Sequence, residues 1–241
     1  MPAGSYGPAS GTAAKTIAGW TDEKTRARWE AAPMTLAARR RPHDGLSAGV
    51  DLYWIPLGAG GRFVRSNGRI YEAIAARLQH RGRCDLYHSA LEVHLDGDRY
   101  VIEQAPVWSM EETDRGVVCE GPVGSPWLGR FKAFRYEVRR WRNGVIPDAG
   151  EAVDSPQRLS DDPDRAQRLL DVVPDFPAAT WGRDELQTGE MWNSNSLIAW
   201  LLARSDHDTA AIAPPAGGRA PGWDAGLAVA ARFTARERAV H

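Results

Sequence analysis

Apolar and polar positions alternate with a period of two along several stretches, the pattern of strands that bury one face. Residues 50–56 (VDLYWIP) are β-branched and aromatic, and residues 86–95 alternate strictly. Leu86, His88, Ala90 and Glu92 fall on one side of that second strand, and Tyr87, Ser89, Leu91 and Val93 on the other. Asp96-Gly97-Asp98 is a tight-turn sequence, so residues 100–104 read as the return strand of a hairpin. Residues 131–141 (FKAFRYEVRRW) alternate again and predict a strand with Arg135, Glu137 and Arg139 on a solvent face. Helical spacing appears at Ile70, Ile74, Ala75 and Leu78. A second helix is expected over 161–172, opened by Asp162-Pro163, and a third over 196–204 (SLIAWLLAR), apolar enough for a core position.

These elements predict one α+β domain, an antiparallel sheet packed on helices, over residues 47–232. Residues 1–46 read as a flexible leader followed by a polar helix at 21–38, and residues 233–241 as a polar tail. The Pro- and Gly-rich stretch 214–222 predicts a long surface loop.

Composition narrows the function classes. The chain is 43% hydrophobic and 25% charged, an ordinary globular balance. Lysine and arginine total 30 against 31 acids, and only Lys15, Lys24 and Lys132 are lysines. The arginines are interleaved with Asp and Glu, so no nucleic-acid partner is expected. No run approaches the roughly 18 apolar residues of a membrane span, which argues against a membrane partner. Cys84 and Cys119 are too few for a disulfide framework or a zinc site. No secretory signal opens the chain, and the expected address is the cytoplasm. The sequence leaves the oligomeric state open.

Three features could carry chemistry. Gly58-Ala59-Gly60-Gly61 lacks the remaining residues of a nucleotide-binding loop and reads as a strand-to-helix turn. His88 lies on a strand, where it is either a core histidine bonded to backbone or a base oriented by a polar residue across the hairpin. Asn193-Ser194-Asn195-Ser196 precedes an apolar helix. It is either a helix cap or a nucleophile placed where helix N–H groups can stabilise an oxyanion.

The order of these parts, with Leu86-Tyr87-His88-Ser89-Ala90-Leu91-Glu92-Val93, then Tyr100-Val101-Ile102-Glu103-Gln104, then Asn193-Ser194-Asn195-Ser196 opening a helix, resembles the circularly permuted papain-like proteins. That group includes the NlpC-type peptidases, the lecithin:retinol acyltransferase relatives and the PPPDE-type peptidases. The resemblance covers roughly residues 49–204. It implies an acyl-transfer hydrolase of amide or ester bonds, acting on a small-molecule or peptide substrate. Ser194 would be the nucleophile in place of the family's cysteine, His88 the base, and Glu103 or Gln104 the orienting group. Asn193, Asn195, Trp192 and Trp54 would line the substrate site. No cofactor or metal is implied. A serine hydroxyl depends wholly on general-base help, so the same frame also implies an alternative, a catalytically silent descendant that binds a ligand or peptide in that cleft. The hydrolase reading requires the His88 imidazole within about 4 Å of Ser194.

Overall fold

Among the described residues, six strands form one antiparallel sheet: β1 (Gly49–Pro56), β2 (Tyr87–Leu95), β3 (Asp98–Pro106), β4 (Val117–Pro122), β5 (Arg135–Arg142) and β6 (Val153–Ser160). Their spatial order is β4-β5-β3-β2-β1-β6. The computed structural model describes residues 47–57, 84–107, 115–146 and 148–240, all within the compact unit His43–His241. The expected leader, the helices at 21–38 and 70–78 and the glycine run at 58–61 lie outside the described residues.

The hairpin forms as its turn residues dictate. Leu95 pairs with Asp98, and Asp96 and Gly97 bridge them at φ 52° and 79°. Two consecutive left-handed residues match the twist of the flanking strands, and Asp-Gly tolerates both. β5 starts at Arg135 because residues 132–134 are wound into a short 3-10 turn. Glu137 and Arg139 do not face solvent as expected; they are 2% and 4% exposed. β5 is an inner strand, and Arg139 sits directly across from Glu103 of β3, so its charges are covered and paired. β4 and β6 carry little alternation. β6 holds Pro156 and shifts register twice against β1, which suits an edge position.

Three helices are present among the described residues. α1 (Pro163–Val172) opens as predicted, with the Asp162 carboxylate accepting the Asp164 N–H at 2.8 Å and Pro163 in the first turn. α2 (Ser194–Arg204) is buried over nine residues, Ser194 to Leu202. α3 (Trp223–Val240) was not legible as a helix; it starts directly after the expected loop and takes in all of the described part of the expected tail. Its inward residues are small, Ala225, Gly226, Val229 and Ala230, so it packs closely on α2 without a strong apolar stripe. Phe233 meets Trp200 edge to face at 5.9 Å, and Arg204 forms a bidentate ion pair with Glu237.

The sheet's two faces differ. Val50, Leu52 and Trp54 of β1, Leu91 and Val93 of β2, Ile102 of β3 and Val138 of β5 join Leu169, Leu197, Ile198 and Leu201 in the main core, under the helices. Ile55, Ala90 and Val101 form a smaller cluster with Ile146 on the opposite face.

The α2–α3 contact yields a prediction whose sign runs against helix propensity. Alanine in place of a helical glycine normally gains about 1 kcal/mol. At Gly226 the added Cβ would strike the Ser196 carbonyl oxygen and lie 2.9 Å from the Ala199 Cβ. Gly226→Ala is expected to lose about 1–3 kcal/mol net, read as a lower urea midpoint at unchanged slope.

Candidate functional site

The N-terminus of α2 is held by a closed set of side-chain hydrogen bonds. Asn193 is the N-cap, and its Oδ1 accepts the backbone N–H groups of Asn195 at 2.9 Å and Ser196 at 3.3 Å. The Ser196 hydroxyl accepts from the Asn193 N–H at 3.1 Å and donates to the Gly222 carbonyl at 2.7 Å. This is a capping box in which Asn and Ser take the two roles. Asn193 Nδ2 donates to the Pro221 carbonyl at 2.8 Å. Gly222, at φ +86°, packs its backbone against the Asn193 side chain, where a Cβ would not fit.

Asn195 reaches farther. Its Nδ2 donates to the carbonyls of Tyr87 and Pro221, each at 2.9 Å, and its Oδ1 accepts the Ser89 hydroxyl at 2.8 Å. One amide thereby joins α2, β2 and the segment leading into α3. Asn193, Asn195 and Ser196 are spent on structure. Ser194 is 6% exposed, and its hydroxyl has no hydrogen-bond partner among the described residues.

His88 does not meet Ser194. In β2 the Ser89 side chain faces α2, so the period of two turns His88 to the other side of the sheet. There its direct partner on β1 is Ile55, a member of the small cluster with Ala90 and Val101. The expected nucleophile and the expected base are thus separated by the sheet. Burial lowers the His88 pKa to about 4, so the ring is neutral at pH 7. The sequence reading set His88 by its place along the strand, and Ser89's bond to Asn195 decides its face.

The expected orienting residues do not serve His88 either. Glu103 forms a buried ion pair with Arg139 at 3.0 Å, and Arg139 also donates to Glu137 at 2.9 Å. Gln104 alternates to the helix side, beside Ile102, and is 6% exposed. Its amide nitrogen and oxygen have no partner among the described residues.

Trp54 and Trp192, expected to line a substrate site, are core residues at 1% exposure. Trp54 packs on Trp223 with 5.2 Å between ring centroids. Trp192 stacks on Phe176 at 5.0 Å and donates its indole N–H to the Pro177 carbonyl at 3.1 Å. Burial drives the Cys119 thiol to about 11, aided by Glu120.

One buried feature escaped the sequence reading. On the face opposite the helices, His94 Nε2 lies 3.0 Å from Glu92 and 3.6 Å from Asp51. Arg99 pairs with Glu92 at 3.1 Å and Arg158 with Asp51 at 2.9 Å. Burial raises the Asp51 and Glu103 carboxyls despite their arginines. For Glu92 and Glu137 burial is outweighed by hydrogen bonds and cations, and both are lowered. Charged residues at alternate positions of β2, β3 and β5 were the visible signal. Among the described residues no cluster of metal-ligating side chains is present, and no helix is long and apolar enough to cross a membrane.

Comparison with protein-family models, curated proteins and solved structures returns no match.

Two predictions follow from this geometry. Asn195→Ala removes three hydrogen bonds and strips the buried Tyr87 carbonyl and Ser89 hydroxyl of their Asn195 partner, while Pro221 keeps Asn193. It is expected to cost more than about 2 kcal/mol, whereas Ser194→Ala, which removes no hydrogen bond, should stay within about 0.5 kcal/mol, both by chemical denaturation. The second concerns acid. Unfolded His88 binds a proton below about 6.5 and the folded residue only below about 4. The unfolded state therefore holds more protons in between, and stability falls as pH drops through that window. His207, also lowered by burial, adds a slope of the same sign. His88→Gln should flatten the urea-midpoint profile between pH 7 and 4.5; an unchanged profile would show that His88 is not buried neutral.

Proposed function

We propose that this chain is a catalytically silent binding protein on a permuted papain-like frame, which takes a ligand or peptide at the N-terminal end of α2. The order of strand, histidine strand, hairpin and Asn-Ser-Asn-Ser helix start supports the frame. One observation carries the choice of binding over hydrolysis: Ser194 and His88 occupy opposite faces of the sheet. A serine at its ordinary pKa needs a base within hydrogen-bond reach, and a thiolate-forming residue is absent from the position. The Ser194 hydroxyl keeps its hydrogen-bonding capacity at the N-terminal end of α2, and it is the group offered to a ligand. The reading places the protein in the cytoplasm, consistent with two cysteines that form no disulfide.

The test is covalent. A fluorophosphonate probe is expected to leave the protein unlabelled. In Ser194→Cys, iodoacetamide should alkylate the new thiol at a rate that His88→Ala does not change, because no imidazole faces it. Labelling of the native protein that disappears in Ser194→Ala would overturn the binding reading and restore the hydrolase. A marked slowing of alkylation by His88→Ala would show that the two side chains meet.

A further inference from the structure

Five large apolar side chains are exposed among the described residues, and four of them lie on β4 or the turn segment after it. Val117, Trp127, Phe131 and Phe134 are 41%, 58%, 50% and 43% exposed. Trp127 and Phe131 meet edge to face at 6.4 Å, and the Arg130 guanidinium lies 5.3 Å from the Trp127 ring centroid. Gly129 packs against Pro122, which brings the turn onto the end of β4. Between them lies an open depression of about 320 Å³, lined by Glu120, Gly121, Pro122, Pro126, Gly129 and Arg135. Single exposed apolar residues are ordinary, but a cluster of aromatics marks a contact surface.

Among the described residues the charge beside the cluster is mainly positive. Arg135 is matched by Glu120 at 3.1 Å, whereas Arg130 and Lys132 have no acidic partner among the described residues. We infer that this surface docks an extended, acidic polypeptide segment. An apolar side chain of that segment enters the depression, its carboxylates meet Arg130 and Lys132, and Trp127 and Phe131 cover its apolar positions. β4 ends the sheet among the described residues, so a strand edge runs beside the patch. Two other occupants fit less well. A second copy of the same patch would bring Arg130 and Lys132 against their own kind. An anionic bilayer has no use for a depression that takes one side chain. The inference goes beyond the reading of the α2 end and stands without it.

Panning a random dodecapeptide display library on the native protein tests it, with Trp127→Ala/Phe131→Ala as counter-selection. Enriched peptides are expected to carry excess Asp and Glu around Leu, Phe or Trp. A synthetic consensus peptide should bind in the micromolar range of small interfaces. Its affinity should fall at least about tenfold in the double-alanine variant and comparably in Arg130→Glu/Lys132→Glu. All four positions are exposed, so unchanged circular dichroism and melting are the expected folding controls. No enrichment, enrichment without acidic bias, or affinity unchanged in both variants would overturn the proposal. So would flotation with phosphatidylserine vesicles, or dimerisation in light scattering, that the same variants abolish. Ser194→Ala is expected to leave peptide affinity unchanged, which keeps this result separate from the fate of the α2 site.

Discussion

The Asn195 amide is the constraint on which the rest of the arrangement depends. It spends both donors on the carbonyls of Tyr87 and Pro221 and accepts the Ser89 hydroxyl, the Tyr87 and Ser89 bonds being buried. A hydrogen bond left unmade there would cost far more than a made one contributes. The helix, the start of β2 and the approach to α3 are therefore registered together by one side chain. Asn193 and Ser196 close the same end through the capping box and the Gly222 carbonyl. What could be a reactive helix start is mostly joinery, and Ser194 is the residue it leaves over.

Fixing Ser89 toward α2 also fixes its neighbours. Alternation sends His88, Glu92 and His94 to the opposite face, and with them Asp51 of β1 and Glu103 of β3. Carboxylates and guanidiniums buried there are held in pairs and triads, since an unpaired buried charge would be severely destabilising. His88, which burial keeps neutral, sits beyond this network against Ile55. The sheet is thus an apolar surface under its helices and a largely ionic one on its other side. Gly49 contributes to that second surface, because a Cβ there would collide with the Arg158 guanidinium that reaches Asp51.

Much of this was legible in the residues alone. The strands at 50–56, 86–95 and 100–104, the Asp-Gly turn and the Asp162-Pro163 helix start follow from local rules: side-chain period, left-handed tolerance and capping. The α+β class follows from those parts. β4, β6 and α3 did not declare themselves. Edge strands need little alternation, and α3 packs through Ala and Gly, whose small side chains give no strong periodic signal.

The candidate site divides along the same line. The types and order of His88, Glu103, Gln104 and the Asn193–Ser196 run are properties of the sequence, and so is the resemblance they carry. Their faces are not. Alternation says only that His88 and Ser89 point apart, and a strand in isolation has no reason to prefer either side. Which one meets the helix was decided by a partner 106 positions away, the Asn195 side chain accepting from Ser89. The same holds for Glu103, whose partner became Arg139 only when β3 and β5 came side by side. Local chemistry determined the elements, and long-range hydrogen bonds and ion pairs determined which side chains share a face.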